Sequence, residues 1–235
     1  MIDIHSHILF GVDDGAKDLE ESILMLKEAK KIGFDKIIAT PHVMRAKYDK
    51  QKTKEAFDTL LPYAKEIGID LYQGYEYNCY ALNDDGIDRA IEFCTEGTKT
   101  ILLEFKSTVG FPANWEGIVS SFQRKGVKII IAHPERYRQV QNDLKKIERS
   151  VFIGCDLQID ALSLCEKGLF NPTRRCAKKL LDSTNVSWIA SDAHCVEDYV
   201  QFGEIYKTFD NETYFSSNRN DDYFVFELKN SNKKD

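Results

Sequence analysis

Short apolar runs alternate with helix-period segments along nearly the whole chain, and that alternation is the strongest constraint on its fold. The runs Ile2–Ile4, Lys36–Thr40, Ile69–Gln73, Thr100–Glu104, Lys128–Ala132, Val151–Gln158 and Val186–Ser191 read as buried parallel strands. Between them, Leu19, Ile23, Leu26, Ala29 and Ile32 recur at spacings of three and four and make one helical stripe. Asp18 precedes that stripe as an N-cap, with Glu21 placed to complete a capping box. Phe57, Leu60, Leu61, Ala64 and Ile67 repeat the stripe, and Gly68 ends it; Gly33 and Gly126 mark equivalent helix-to-strand turns. Parallel strands need crossover helices, so the expected fold is α/β, a closed or nearly closed (β/α) barrel. A doubly wound open sheet is the alternative, but no Gly-rich phosphate loop follows the first strand.

A chain of 235 residues suits one such barrel. One domain over residues 1–215 is expected, followed by a polar tail over 216–235 whose end frays. A net charge of −6 argues against a nucleic-acid binder working by general basicity. No apolar run exceeds four residues, so no membrane insertion is expected. The opening Met1-Ile2-Asp3-Ile4-His5 has no signal-peptide pattern, which leads to an expected cytoplasmic location. The cysteines Cys79, Cys94, Cys155, Cys165, Cys176 and Cys195 form no C-x-x-C pair and read as reduced, small hydrophobes. None is followed six residues later by arginine, which excludes the cysteine-dependent phosphatase signature.

Only five histidines are present, and each follows a strand: His5 and His7, His42, His133 and His194. Glu76 and Glu104 hold comparable places after the third and fourth strands. The strand ends of a parallel barrel emerge on one face, so these groups are expected to converge. A lone histidine at a strand end is usually a cap or a packing residue, but five of five at strand ends is hard to explain structurally. His5-Ser6-His7 and Asp192-Ala193-His194 place alternate side chains toward one ion. Imidazole and carboxylate without thiolate suit manganese, iron or zinc.

His5-Ser6-His7, Asp13-Asp14-Gly15-Ala16 with Leu19-Glu20-Glu21-Ser22, Ala39-Thr40-Pro41-His42, Leu103-Glu104-Phe105, Ala132-His133-Pro134-Glu135-Arg136 and Ser191-Asp192-Ala193-His194 occur in one characteristic order. In these the chain resembles the manganese-dependent bacterial tyrosine-protein phosphatases of the capsule loci, the CpsB/CapC/YwqE type. Those enzymes belong to the polymerase and histidinol phosphatase (PHP) superfamily. The resemblance runs from residue 3 to about residue 200. It implies a distorted (β/α)7 barrel holding three divalent ions, manganese first, on His5, His7, Asp14, His42, Glu76, Glu104, His133, Asp192 and His194. His5, His7, Glu76 and Asp192 would hold one ion. Glu76, Glu104 and His133 would hold a second, and Asp14, His42 and His194 a third.

The chemistry implied is hydrolysis of a phosphate monoester by metal-activated water, with Arg136 taking up charge on the phosphoryl oxygens. His42, or a water on the metals, is the candidate proton donor. The tyrosines Tyr72, Tyr75, Tyr77 and Tyr80 and the loop Thr108–Trp115 are candidate walls for a phenyl ring, with ordinary packing as the alternative for both. Arg45 and Lys47 could meet an acidic peptide. Two positions depart from the family pattern: Val43 replaces its usual second histidine, and Tyr199 replaces an arginine expected to assist phosphate binding. By resemblance, the partner is the phosphotyrosine tail of a membrane-associated tyrosine autokinase governing capsule or exopolysaccharide synthesis. A small-molecule phosphatase of the histidinol-phosphate type is the alternative, and a non-catalytic metal-binding regulatory subunit the more distant one.

Overall fold

The computed structural model describes residues 1–44, 48–106, 108, 110–168, 170–183 and 186–208. Arg45, Lys47 and the tail over 216–235 lie outside the described residues. The chain opens with β1 (Ile2–Ser6), α1 (Leu19–Ile32), β2 (Lys36–Ala39), β3 (His42–Val43), α2 (Lys50–Ile67), β4 (Asp70–Gln73) and β5 (Glu76–Asn78). It continues through α3 (Leu82–Ala90), β6 (Thr100–Glu104), α4 (Trp115–Arg124), β7 (Lys128–Ala132), α5 (Arg138–Asn142) and α6 (Lys145–Phe152). The last elements are β8 (Asp156–Asp160), α7 (Pro172–Ser183), β9 (Trp188–Ala190) and α8 (Val196–Thr208). No helix among the described residues is long and apolar enough to cross a membrane.

The helix boundaries follow from local chemistry. Asp18 Oδ1 accepts from the Glu21 amide at 2.9 Å and starts α1. Glu21 turns back one residue further than a capping box requires, accepting from the Lys17 amide at 2.9 Å. Gly33 and Gly68 end α1 and α2 in the left-handed conformation, at φ 110° and 84°.

Among the described residues every strand pairing is parallel, but the strands form two sheets, ordered β1-β2-β4 and β3-β5-β6-β7-β8-β9. The expectation is seven strands; β3 and β5 are two short further ones, set off from β2 and β4 by Pro41, which has no N–H to donate, and by Gly74, whose amide bonds to Ala39 O at 2.8 Å. A single bridge between Ser6 and Ala193 sets β1 beside the chain leaving β9. It is reinforced by His7 N to Ala193 O at 2.8 Å and Asp192 N to His5 O at 2.9 Å. The sixth strand is also corrected. Val151 and Phe152 end α6, Gly154 turns the chain at φ 93°, and the strand runs from Asp156 to Asp160.

Strand periodicity sorts the core. Ile2, Ile4, Ile38, Leu102, Ile130, Ala132, Trp188 and Ala190 pack together between the sheets. Their strand neighbours face the helices: Ile37 and Ala39 toward α1 and α2, and Ile101, Leu103, Ile129 and Ile131 toward α4.

Candidate metal centre

Ile2 and Ile4 of β1 point into the inner apolar cluster, and simple alternation would send His5 outward. The register shifts between Asp3 and Ser6, and beyond that irregularity His5 and His7 are the residues facing inward. Ser6 faces the other way, its Oγ 3.0 Å from the Tyr199 hydroxyl oxygen. His133 and Asp192 leave β7 and β9 in the left-handed region, at φ 30° and 49°. Non-glycine residues at positive φ are uncommon, and each such residue stores strain of about 1–3 kcal/mol that the surroundings must hold.

Glu76 is the hub. Its Oε1 lies 2.7 Å from His133 Nε2, and its Oε2 lies 2.7 Å from His42 Nδ1 and 3.5 Å from the Nε2 atoms of both His5 and His7. Asp192 Oδ1 sits 3.1 Å from His5 Nε2 and 3.2 Å from His7 Nε2. Asp14 Oδ1 faces His42 Nε2 at 3.3 Å and His194 Nε2 at 3.8 Å.

All nine candidate ligands therefore meet, in four overlapping groups whose ligand atoms lie within 4.8 Å of one another. These are His7–Asp14–His42–His194, His5–His7–Asp192, His5–Glu76–His133 and His42–Glu76–Glu104. The third ligand set expected by resemblance lies within one group, with His7 added, while the first appears as His5, His7 and Asp192 without Glu76. The second set is divided, because Glu104 groups with His42 and Glu76 rather than with His133.

The remaining imidazole contacts orient the rings. His5 Nδ1 is 3.0 Å from Gln158 Oε1, His7 Nδ1 is 2.8 Å from Asp13 Oδ2, and His194 Nδ1 is 2.7 Å from Asp192 O. Each of these oxygens can only accept, so Nδ1 carries the proton and Nε2 is the nitrogen left to bind. His5 Nε2 and His7 Nε2 then face each other at 3.2 Å. Glu76 Oε2 and Asp192 Oδ1 are buried and make no well-directed hydrogen bond, although ring nitrogens stand close to both. Lone pairs and buried carboxylate oxygens so arranged need positive charge between them, supplied by protons or by cations. The donor set, imidazole and carboxylate, fits divalent ions.

The titration behaviour reflects the same competition. Burial would lower the pKa of His5, yet Asp192 and then Glu76 raise it to about 9. Burial likewise opposes the charged form of Glu76, but His5, His133 and His42 hold its carboxyl well below the usual carboxylate range. Asp192 is depressed against burial by His5, His7 and Arg136. Glu104 goes the other way, raised by burial and then by the charge on Glu76.

Residues 1–201 match the family model for capsular polysaccharide synthesis proteins of the CpsB/CapC type. The chain belongs to the CpsB/CapC family. It is 36% identical over 202 residues to the putative tyrosine-protein phosphatase CapC of Staphylococcus aureus, covering 83% of this chain and 78% of that protein. It is 33% identical over 202 residues to the tyrosine-protein phosphatase YwqE of Bacillus subtilis, covering 84% and 78%. Among solved structures it matches one from the YwqE and Streptococcus pneumoniae CpsB pair, described as unique metal-dependent tyrosine phosphatases. That match has a TM-score of 0.80 and 31% identity, covering 98% of this chain and 95% of that one. A lactonase from Listeria monocytogenes, at TM-score 0.55 and 12% identity, shares the fold alone.

Several other expectations about the site change once the packing is seen. Arg136 faces the cluster as expected but is not free: it pairs with Asp160, and its Nη1 lies 2.7 Å from Asp192 Oδ2. His42 has a carboxylate at each ring nitrogen, which narrows its role as a proton donor. Tyr72, Tyr75 and Tyr77 are taken up by packing, and Tyr80 lies partly buried against the helix-facing core. Tyr72 packs against the inner cluster, Tyr75 against Tyr48 and Phe93, and Tyr77 is buried with its hydroxyl 3.0 Å from Asp85. Phe111 and Trp115 of the 108–115 loop are likewise packed inward, Phe111 stacking on Phe105.

Tyr199 is buried away from the mouth, where its hydroxyl donates to Asp3 Oδ2 at 2.9 Å. Val43 is also buried, within the helix-facing core. The cysteines among the described residues are unpaired, and burial pushes the Cys79, Cys155 and Cys176 thiols up to about 12, which keeps them inert.

Gln158, Asp13, Asp3 and Asp160 support the cluster, and the sequence patterns do not single them out for that role. Gln158 could have been found, because it is the polar residue between Leu157 and Ile159 in a buried strand. Asp3 carries a similar signal between Ile2 and Ile4.

Proposed function

We propose that this chain is a metal-dependent protein-tyrosine phosphatase. The observation that carries the reading is the convergence of five imidazoles and four carboxylates into groups within 4.8 Å, in a chain whose relatives are named for that activity. We take the two parallel sheets as a distorted (β/α)7 barrel of the PHP type, with its second and third strands split and β1 set beside β9. The proposed ligands are His5, His7, Asp14, His42, Glu76, Glu104, His133, Asp192 and His194, holding three ions, manganese first.

When bound, the ions supply Lewis-acid activation of water and of the phosphoryl group. Three divalent ions against four carboxylates leave the mouth at a formal charge of about +2, which draws a phosphate dianion to an otherwise acidic protein. The remaining work falls to this chain's own side chains. Gln158, Asp13 and the Asp192 carbonyl hold three rings with Nε2 inward. Arg136 fixes Asp192 through one nitrogen and, with five N–H donors in all, has others to turn toward the phosphoryl oxygens. A phenolate leaving group, with a pKa near 10, needs little help from an acid. The proposed partner is the phosphotyrosine tail of a membrane-associated tyrosine autokinase in capsule or exopolysaccharide synthesis, met in the cytoplasm.

The deciding experiment is hydrolysis of a phosphotyrosine peptide by the purified protein with Mn²⁺, beside histidinol phosphate and an EDTA control. Chelator-sensitive preference for the peptide is expected. Preference for the small ester would replace the substrate, and bound metal with no turnover on either would replace the activity.

A further inference from the structure

The candidate ligands do not explain how an aromatic leaving group would be read, and Tyr72, Tyr75, Tyr77, Phe111 and Trp115 are taken up by packing. One cleft adjoins the cluster. It has a volume of about 470 Å³ and is lined by Val12, Asp13, Asp14, His42 and Met44. That volume falls within the range of small-molecule sites, about 300–1,000 Å³.

The lining has two chemically distinct parts. Asp14 and His42 belong to the group that also contains His7 and His194. Asp13 is engaged with the His7 ring and with the His42 amide, at 2.8 and 3.0 Å. Val12 and Met44 supply the apolar part of the same lining, Val12 resting at its back on the core beneath α1 and α2. Each lies two residues from a candidate ligand, Val12 from Asp14 and Met44 from His42. Met44 is 37% exposed, a large apolar side chain left at the surface beside a polar centre. A branched aliphatic side chain and a flexible thioether suit the faces and edge of an aromatic ring, and sulfur makes favourable contacts with such rings. An alkyl phosphate would bury much less apolar surface against the same walls.

We infer that Val12 and Met44 are specificity-determining residues that take the aromatic ring of an aryl phosphate ester, with its phosphate directed toward Asp14 and His42. This rests on the phosphatase reading, and the test separates the two. The wild-type protein, Val12→Ser, Met44→Ser and the double variant would be compared with Mn²⁺ on phosphotyrosine and on phosphoserine. Binding of phenylphosphonate and methylphosphonate would be followed by calorimetry on the same proteins. The double variant is expected to raise KM for phosphotyrosine about tenfold or more with kcat within about twofold, and to lose the preference for phenylphosphonate. Met44→Leu is expected to restore most of what Met44→Ser loses.

Equal effects on aryl and alkyl substrates, or none on either, would overturn the inference. If the wild-type protein turned over neither ester, the phosphatase reading would fall. The phosphonate pair would still decide whether these walls select a ring, and a wild-type protein with no phenyl preference would overturn that as well.

Discussion

Gln158 and Tyr199 do their work one contact away from the candidate ligands. Gln158 Oε1 lies 3.0 Å from His5 Nδ1 and also accepts from the His133 amide at 3.3 Å, so one amide oxygen orients groups from two strands. Gln158→Leu keeps the bulk and removes that acceptor. The expected result is a loss of about 10–100-fold in metal affinity, read by titration of the chelated protein; an unchanged affinity would show that packing alone holds the ring. The Tyr199 hydroxyl donates to Asp3, a fully buried carboxyl that also accepts from Ser191 Oγ at 2.5 Å. Burial raises the Asp3 pKa despite these donors. Tyr199→Phe removes one donor from a buried acid and is expected to cost about 1–3 kcal/mol in denaturant unfolding. Turnover in His5→Ala or Asp192→Ala at the wild-type rate would sink the metal mechanism, because each removes a ligand from the centre of the cluster.

The loop between β1 and α1 shows how an element is shaped by one small residue. Gly15 lies where a Cβ would meet His7 O at 2.0 Å and His7 Cβ at 2.6 Å. The close approach lets Ala16 N bond to His7 O at 3.1 Å and brings Asp13 Oδ2 onto the His7 ring. Gly15→Ala has no flexible neighbour to displace, so a loss of about 1–3 kcal/mol or more is expected, together with reduced metal binding as the loop lifts. Gly117 in α4 is the contrasting case, with nothing within 4 Å of the point where a Cβ would stand. Gly117→Ala is expected to stabilise by about 0.4–1 kcal/mol, through reduced freedom of the unfolded chain. Thermal unfolding of the two variants side by side would separate close approach from glycine content.

Across the molecule, protons and divalent cations would compete for the same buried site. His5 has its pKa raised to about 9 in the metal-free protein, and His7 and His133 are raised as well. A group raised above its unfolded value of about 6.5 adds stability that is complete below that pH and is lost as pH climbs through the folded value. The chelated protein should therefore lose stability between pH 7 and 9. Metal binding must displace these protons, so affinity should rise over the same interval. Glu76 and Asp192 are already ionised there and add no slope. The gap in unfolding temperature between Mn²⁺-loaded and EDTA-treated protein should widen from pH 7 to 9. A constant gap would mean that the imidazoles are not the groups the metal displaces.

The sequence alone was enough for the α/β class and the stops at Gly33 and Gly68, and it marked the five histidines as candidate ligands. These depend on short-range periodicity, on capping, and on the scarcity of histidine anywhere but at strand ends. It also carried the family resemblance through motifs such as Ala132-His133-Pro134-Glu135-Arg136. Only the tertiary structure decided the phase shift in β1 that turns His5 and His7 inward after Ile4, since it arises from pairing with β2. The same holds for the positive φ of His133 and Asp192, for the burial of Tyr199 against Asp3, and for the commitment of Arg136 to two carboxylates. Each joins residues distant along the chain, and no local pattern records which partners a fold will bring together.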